Sequence, residues 1–132
     1  MEKTSATIKD LKPGNFVLIE GVPCRVEKVS VSVAGKHGAA KARLEAIGLF
    51  DGRRRSIVKP ASEEVEVPIV ARKKAQVLAI LGDRVQLMDL ETYEIFDAPL
   101  PEDEKMRSKI NTGTEVEYWR ILGRMKIMRV KG

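Results

Sequence analysis

The sequence predicts a mainly β protein built as two small barrels in tandem, the second an OB-fold barrel with one short helix. Three observations predict it. Short apolar or alternating runs recur at intervals of roughly 8 to 12 residues and are separated by turn signals, the spacing of small barrels and sandwiches. A single convincing helix signature falls in the second half, after three strand-like runs and before two more, which is the helix position of a five-stranded OB-fold. The alternation is interrupted at Pro68 to Lys74, so the chain divides into residues 1–70 and residues 71–132.

Each element has its own signal. Asn15–Ile19 is an apolar run closed by Glu20-Gly21. Val22–Val33 is longer and changes phase: Val22, Cys24 and Val26 share one face, and Val29, Val31 and Val33 share the next phase. A one-residue slip near Glu27-Lys28 predicts a bulge, the device that bends a strand around a barrel. Lys41–Phe50 and Arg53–Val58 flank Asp51-Gly52, a hairpin signal, and Val65, Val67 and Ile69 alternate again. In the second half, Ala75–Leu81, Arg84–Leu90 and Glu94–Phe96 read as strands with turns at Gly82-Asp83 and Glu91-Thr92. A helix is expected over about Glu102–Ile110. Pro101 stands near its start, acidic residues fill its first turn and Lys105, Arg107 and Lys109 come late, in the order that suits the helix dipole. Asn111 and Gly113 end it, and Glu115–Leu122 and Met125–Val130 complete the chain around Gly123-Arg124.

Composition narrows the function classes. Hydrophobic residues make up 43% of the 132 positions and charged residues 33%, ordinary for a globular protein and too apolar for a disordered one. No apolar run approaches the roughly 20 residues of a membrane-spanning helix, and the polar N-terminus has no apolar signal segment. A single cysteine, Cys24, suits a reducing, cytoplasmic setting. The net charge is +5, unevenly spread. Arg25 to Lys59 holds nine basic and three acidic residues, Asp83 to Glu104 eight acidic and one basic, and Arg120 to Lys131 five basic and none acidic. Two basic regions around an acidic one suit a polyanionic partner met in a fixed orientation, although solvated strands also carry Lys and Arg.

The most informative segment runs from Val31 to Lys41. Gly35 and Gly38 bracket Lys36-His37 between two β segments, so the glycines shape a narrow turn that holds a lysine outward. A phosphate-binding loop needs G-x-x-x-x-G-K-[ST]. Here Ser30 stands where the first glycine belongs and His37 replaces the Ser or Thr. A catalytic His37 would need an orienting carboxylate and a nucleophile, and the neighbouring sequence offers neither. Two readings of the local pattern stay open: a hairpin tip with an incidental solvated lysine, or a cation presented to a cleft.

The stretch Gly35-Lys36-His37-Gly38, followed by Ala40-Lys41-Ala42-Arg43, resembles the modification loop of the translation initiation factor 5A family. The resemblance extends to Asp10-Leu11-Lys12-Pro13-Gly14, Gly21-Val22-Pro23-Cys24, Phe50-Asp51-Gly52-Arg53, Val67-Pro68, Gln76-Val77-Leu78 and Leu100-Pro101. Val33 and Ala39 depart from it, standing where the family often has a small polar or basic residue and a second histidine. The resemblance implies an SH3-like barrel for the first domain. It also implies that Lys36 receives an aminobutyl group from spermidine, giving deoxyhypusine and, after hydroxylation, hypusine. The implied partners are the ribosome, tRNA and deoxyhypusine synthase, with no membrane, no small-molecule substrate, no bound cofactor or metal and no enzymatic activity of the chain's own. The implied action is to promote peptide-bond formation, notably at consecutive prolines, with the modified arm near the acceptor end of peptidyl-tRNA. Candidate RNA or ribosome contacts are His37, Lys41, Arg43, Arg53, Arg54 and Arg55. In the second domain they are Arg120, Arg124, Lys126 and Arg129, with Tyr93, Phe96, Tyr118 and Trp119 as aromatics for base stacking or core packing. The rival reading is a general RNA-binding or RNA-chaperone module with an unmodified basic loop.

Overall fold

The computed structural model describes residues 2–33 and 38–131. The chain separates into two units, Met1–Ile69 and Val70–Gly132.

In the first unit the strands are β1 (Lys3–Thr7), β2 (Phe16–Ile19), β3 (Val22–Val33), β4 (Ala40–Gly48), β5 (Arg54–Pro60) and β6 (Glu64–Pro68). β2, β3, β4 and β5 form an antiparallel sheet in chain order, and β1 pairs with β6 in a two-stranded ribbon. This is the SH3-like barrel. The β2–β3 link is a two-residue hairpin: Ile19 pairs with Val22, and both Glu20 (φ 51°) and Gly21 (φ 77°) adopt the left-handed backbone that matches strand twist. In β3 the register slips between Val26 and Lys28, where the phase change predicts it. The slip keeps Cys24 and Val26 inside and then returns Val29 to the same core, against Ala42, Leu44 and Ala46 of β4. Without it, every side chain beyond Val26 would face the wrong way.

The second unit contains β7 (Val70–Leu81), β8 (Arg84–Asp89), β9 (Ile95–Pro99), α1 (Glu104–Ser108), β10 (Glu115–Ile121) and β11 (Arg124–Val130). Its sheet order is β11-β10-β7-β8-β9, and β11 returns beside β9, so the sheet curls into the OB barrel. Val77, Val85, Leu87, Ala98, Val116, Tyr118 and Ile127 fill it. Asp89 is fully buried with them. Its carboxylate accepts the backbone N–H groups of Glu91 and Thr92, each at 2.8 Å, and the Tyr118 hydroxyl at 2.5 Å, with Lys73 Nζ 3.4 Å away. Burial works to raise the Asp89 pKa, but the bonds from Tyr118, Thr92 and Glu91 and the charge of Lys73 outweigh it and hold the carboxyl well below its usual range.

Four expectations need correction. β1 escapes sequence reading because it is an outer ribbon strand whose first three residues are exposed, so no apolar alternation marks it. Arg72-Lys73-Lys74 does not interrupt a strand; it lies inside β7. Arg72 and Lys74 point outward, while Lys73 follows the phase of Ala75 and Val77 and meets Asp89. The helix is shorter than expected. Asp103 is its N-cap, extended at φ −61° and ψ 116°, and accepts from Lys105 N at 2.9 Å, so Glu102 and Asp103 precede the helix rather than fill its first turn. The strand expected at Glu94–Phe96 begins at Ile95 and runs to Pro99.

Candidate functional site

The β3–β4 hairpin carries the segment singled out in the sequence. Its last pairs are Ser32 with Lys41 and Val33 with Ala40, so residues 34–39 form the connection and Lys36 stands near its middle. Gly35, Lys36 and His37 lie outside the described residues. Gly38 is described and exposed.

The β3 side of the hairpin outruns the core. Val31 and Val33 continue the core phase of Val29, and Val31 pairs with the buried Ala42, yet Val31 is 52% and Val33 65% exposed. On β3 these apolar side chains go uncovered because the strand runs past the edge of the core, whereas on β4 Ala42 is buried and Ala40 packs against the core. Val31 to Val33 on β3 pair with Ala42 to Ala40 on β4, and β5 backs β4 on its other side: Ala42 pairs with Lys59, Lys41 with Pro60, and the Ala61 N–H donates to the Ala40 carbonyl at 2.9 Å. Pairing on both sides of β4 stiffens this end of the hairpin up to Val33 and Ala40.

On the opposite face of the same strands, Lys41 and Arg43 are exposed beside Ser32 and Ser30, and neither forms an ion pair among the described residues. Both stand at the loop end of the sheet.

Arg53, Arg54 and Arg55 do not join them. Lys41 pairs with Pro60 and Ile47 with Arg54. Six residues of strand therefore separate the arginines from Lys41, about 20 Å at the usual rise per residue. They also differ among themselves. Arg54 donates to Glu27 Oε1 at 2.7 Å. Arg55 grips Asp51 through two bonds, Nη1 to Oδ1 at 3.1 Å and Nη2 to Oδ2 at 2.7 Å, while the Arg53 N–H donates to Asp51 Oδ1 at 2.9 Å. The hydrogen bonds from Arg55 and then from the Arg53 N–H hold the Asp51 carboxyl well below its usual range. A Cβ on Gly48 would lie 2.1 Å from Asp51 Oδ1 and 2.7 Å from Arg55 Nη1, so the absent side chain makes room for this clasp. Arg55 thus braces the β4–β5 turn. The Arg53 guanidinium makes no ion pair among the described residues.

The second-unit candidates also separate. Tyr118 is buried against Phe96, with ring centroids 4.8 Å apart, so both belong to the core. Tyr93 is 70% exposed in a turn. Trp119 faces outward under the Arg72 guanidinium, 5.0 Å from the ring. Arg120 is turned to Glu94, 2.9 Å away. Sequence reading did not place Arg72 or Lys74 on a surface because it took their triplet for a junction; the alternation of Arg72, Lys74 and Gln76 around Lys73 and Ala75 is the signal that would have done so.

Comparison with known proteins agrees with this architecture. Residues 3–63 match the family described as translation initiation factor 5A-like, N-terminal. Residues 69–131 match the family described as eukaryotic elongation factor 5A hypusine, DNA-binding OB fold. Translation initiation factor 5A of Pyrococcus furiosus is 53% identical over 99% of this chain and 96% of its own length. The protein of that name from Korarchaeum cryptofilum is 52% identical over 100% of this chain and 98% of its own. The solved structure of eukaryotic translation initiation factor 5A from Methanococcus jannaschii superposes with a TM-score of 0.88 at 47% identity, over 98% of this chain and 96% of that one. Two matched domains in the same order and about half of all residues identical over the full length show that the chain belongs to the translation initiation factor 5A family.

Proposed function

We propose that this translation factor acts on the ribosome by presenting Lys36, lengthened by an aminobutyl group, to the acceptor end of peptidyl-tRNA, and that it thereby promotes peptide-bond formation at stalled sequences such as consecutive prolines. The observation that carries the reading is the loop end of the β3–β4 hairpin, where paired strands run up to Val33 and Ala40 on either side of the segment containing Lys36 and leave Val31 and Val33 uncovered. A lysine in the connection at such a hairpin end is accessible to a modifying enzyme, deoxyhypusine synthase, and afterwards to a cleft that the barrel cannot enter. In the modification a C–N bond of spermidine breaks and its aminobutyl carbon bonds to Lys36 Nζ. The diaminopropane fragment leaves with the proton that Nζ gives up.

The lengthened arm carries two amines that bear positive charge at neutral pH, enough to bridge phosphates and sugar hydroxyls lining an RNA cleft. Its contribution is positional. Holding a reacting end in a near-attack geometry lowers the entropic part of the barrier without a general base from this chain. Lys41 and Arg43, on β4 at the loop end of the sheet and free of ion pairs among the described residues, supply the adjoining phosphate contacts.

Intact mass spectrometry of the protein from its native host tests the modification. The expected result is a gain of about 71 Da, or about 87 Da after hydroxylation, confined to the peptide containing Lys36. An unmodified Lys36 in protein that supports growth would refute the reading and favour an RNA-binding module with a plain basic loop.

A further inference from the structure

OB barrels ordinarily bind oligonucleotides on the face of their second and third strands, here β8 and β9. That face is poorly suited to a polyanion in this protein. Its outward positions are Arg84, Gln86 and Met88 on β8 and Ile95, Asp97 and Pro99 on β9. The only cation among these six, Arg84, is 3.7 Å from Asp97, and Ile95 is 57% exposed. The turns beside it add Asp83 and Glu91.

The outward face of β7, β10 and β11 has the opposite character. Pairing sets Arg72, Trp119 and Lys126 in one row across the three strands, and Lys74, Glu117 and Arg129 in the next. Arg72, Lys74 and Arg129 are exposed. Lys74, Glu117 and Arg129, with Glu115 and Lys131, line a shallow depression of about 260 Å³. Lys131 lies 3.7 Å from Glu115 and offsets that carboxylate. The Arg72 guanidinium lies over the Trp119 ring, 5.0 Å from its centroid, a contact that holds it in place. Cations therefore flank both sides of the middle strand, β10, which carries the indole and the carboxylates, and the flanks are two strand spacings apart, about 10 Å.

We infer that this outer β7–β10–β11 face, and not the β8–β9 face, is where the second barrel binds single-stranded RNA. Phosphates follow the flanking cations Arg72, Lys74 and Arg129, and bases pass over β10, where Glu117 accepts from exocyclic amines. An acidic protein segment is the competing ligand for the same charge; the aromatic surface within the cationic frame favours RNA. The inference does not rest on the modification of Lys36.

Trp119 is the only tryptophan in the chain, so its fluorescence reports on this face even though the first unit is also basic. The full-length unmodified protein is titrated with a labelled uridine oligonucleotide of about 12 residues, a length within the span of one OB barrel, while anisotropy and Trp119 emission are recorded across a salt series. Binding should change Trp119 emission. Lys74→Gln with Arg129→Gln should weaken binding about tenfold or more at low salt and lower the log–log salt slope by roughly 1.4, the share of two single-strand phosphate contacts. Both replaced residues are exposed, and a circular dichroism spectrum matching the parent's verifies that the fold is retained. Arg84→Gln should change neither quantity. The inference is overturned if the oligonucleotide saturates the anisotropy signal with Trp119 emission unaltered, if Arg84→Gln weakens binding as much as the double variant, or if no binding occurs at low salt. It is equally overturned if poly-glutamate alters Trp119 emission and the RNA does not, which would make the face a site for an acidic protein segment.

Discussion

Replacing Tyr118 by phenylalanine isolates one bond in the core of the second barrel. The ring and its contact with Phe96 are kept, so no cavity opens. What is lost is the hydroxyl that donates to Asp89 Oδ2 at 2.5 Å. The other partner of that oxygen is Lys73 Nζ, 3.4 Å away, and Asp89 is fully buried, so solvent does not replace the donor. A hydrogen bond to a charged group contributes about 1.5–3 kcal/mol, and an oxygen left short of a donor keeps its desolvation cost, so Tyr118→Phe should lower stability by about 2 kcal/mol at neutral pH. The pH dependence has a definite sign. The Asp89 pKa is depressed in the folded state, so its contribution is present above the unfolded carboxyl value of about 4 and fades as pH falls through the lower folded value. The gap between parent and variant should therefore be constant from neutrality down to about pH 5 and should narrow in more acid solution. Urea unfolding followed by Trp119 emission measures it, because that residue adjoins Tyr118 on β10. A loss below about 0.5 kcal/mol, the scale of a surface substitution, or a gap that does not narrow in acid, would refute the assignment of Asp89 as a buried, hydrogen-bonded carboxylate.

Two further outcomes follow from the first unit. Lys36→Arg keeps the positive charge but has no primary amine to accept the aminobutyl group. It should leave the unfolding free energy within about 0.5 kcal/mol of the parent while abolishing the mass gain and translation through consecutive prolines; reporter readthrough at the parent level would contradict the modified-arm mechanism. Neutralising Arg53, Arg54 and Arg55 together should flatten the salt dependence of ribosome binding by no more than about one phosphate contact, roughly 0.9 in log–log slope, because Arg54 and Arg55 already hold Glu27 and Asp51. Lys41→Gln with Arg43→Gln should flatten it by about twice as much. Equal slopes for the two variants, from binding measured across a salt series, would contradict this division.

The sequence by itself determined the strand succession, the bulge in β3 and the OB order of the second half, because period-two alternation and turn residues are local properties written in consecutive positions. It also carried the resemblance in Gly35-Lys36-His37-Gly38, a short contiguous motif. It did not reveal β1, whose exposed ribbon needs no apolar pattern, or that Arg72-Lys73-Lys74 lies within a strand. Only the tertiary structure decided what each charge does. Three consecutive arginines look equivalent in the chain, yet pairing places them about 20 Å from Lys41 and commits Arg55 to Asp51 and Arg54 to Glu27. Arg72 is distant in sequence from Trp119 and Lys126, and the three become one row because β10 lies between β7 and β11. Electrostatic and stacking contacts act over a few ångströms through space, so the role of a side chain is set by which strands are neighbours, and strand neighbours are a long-range property of the fold.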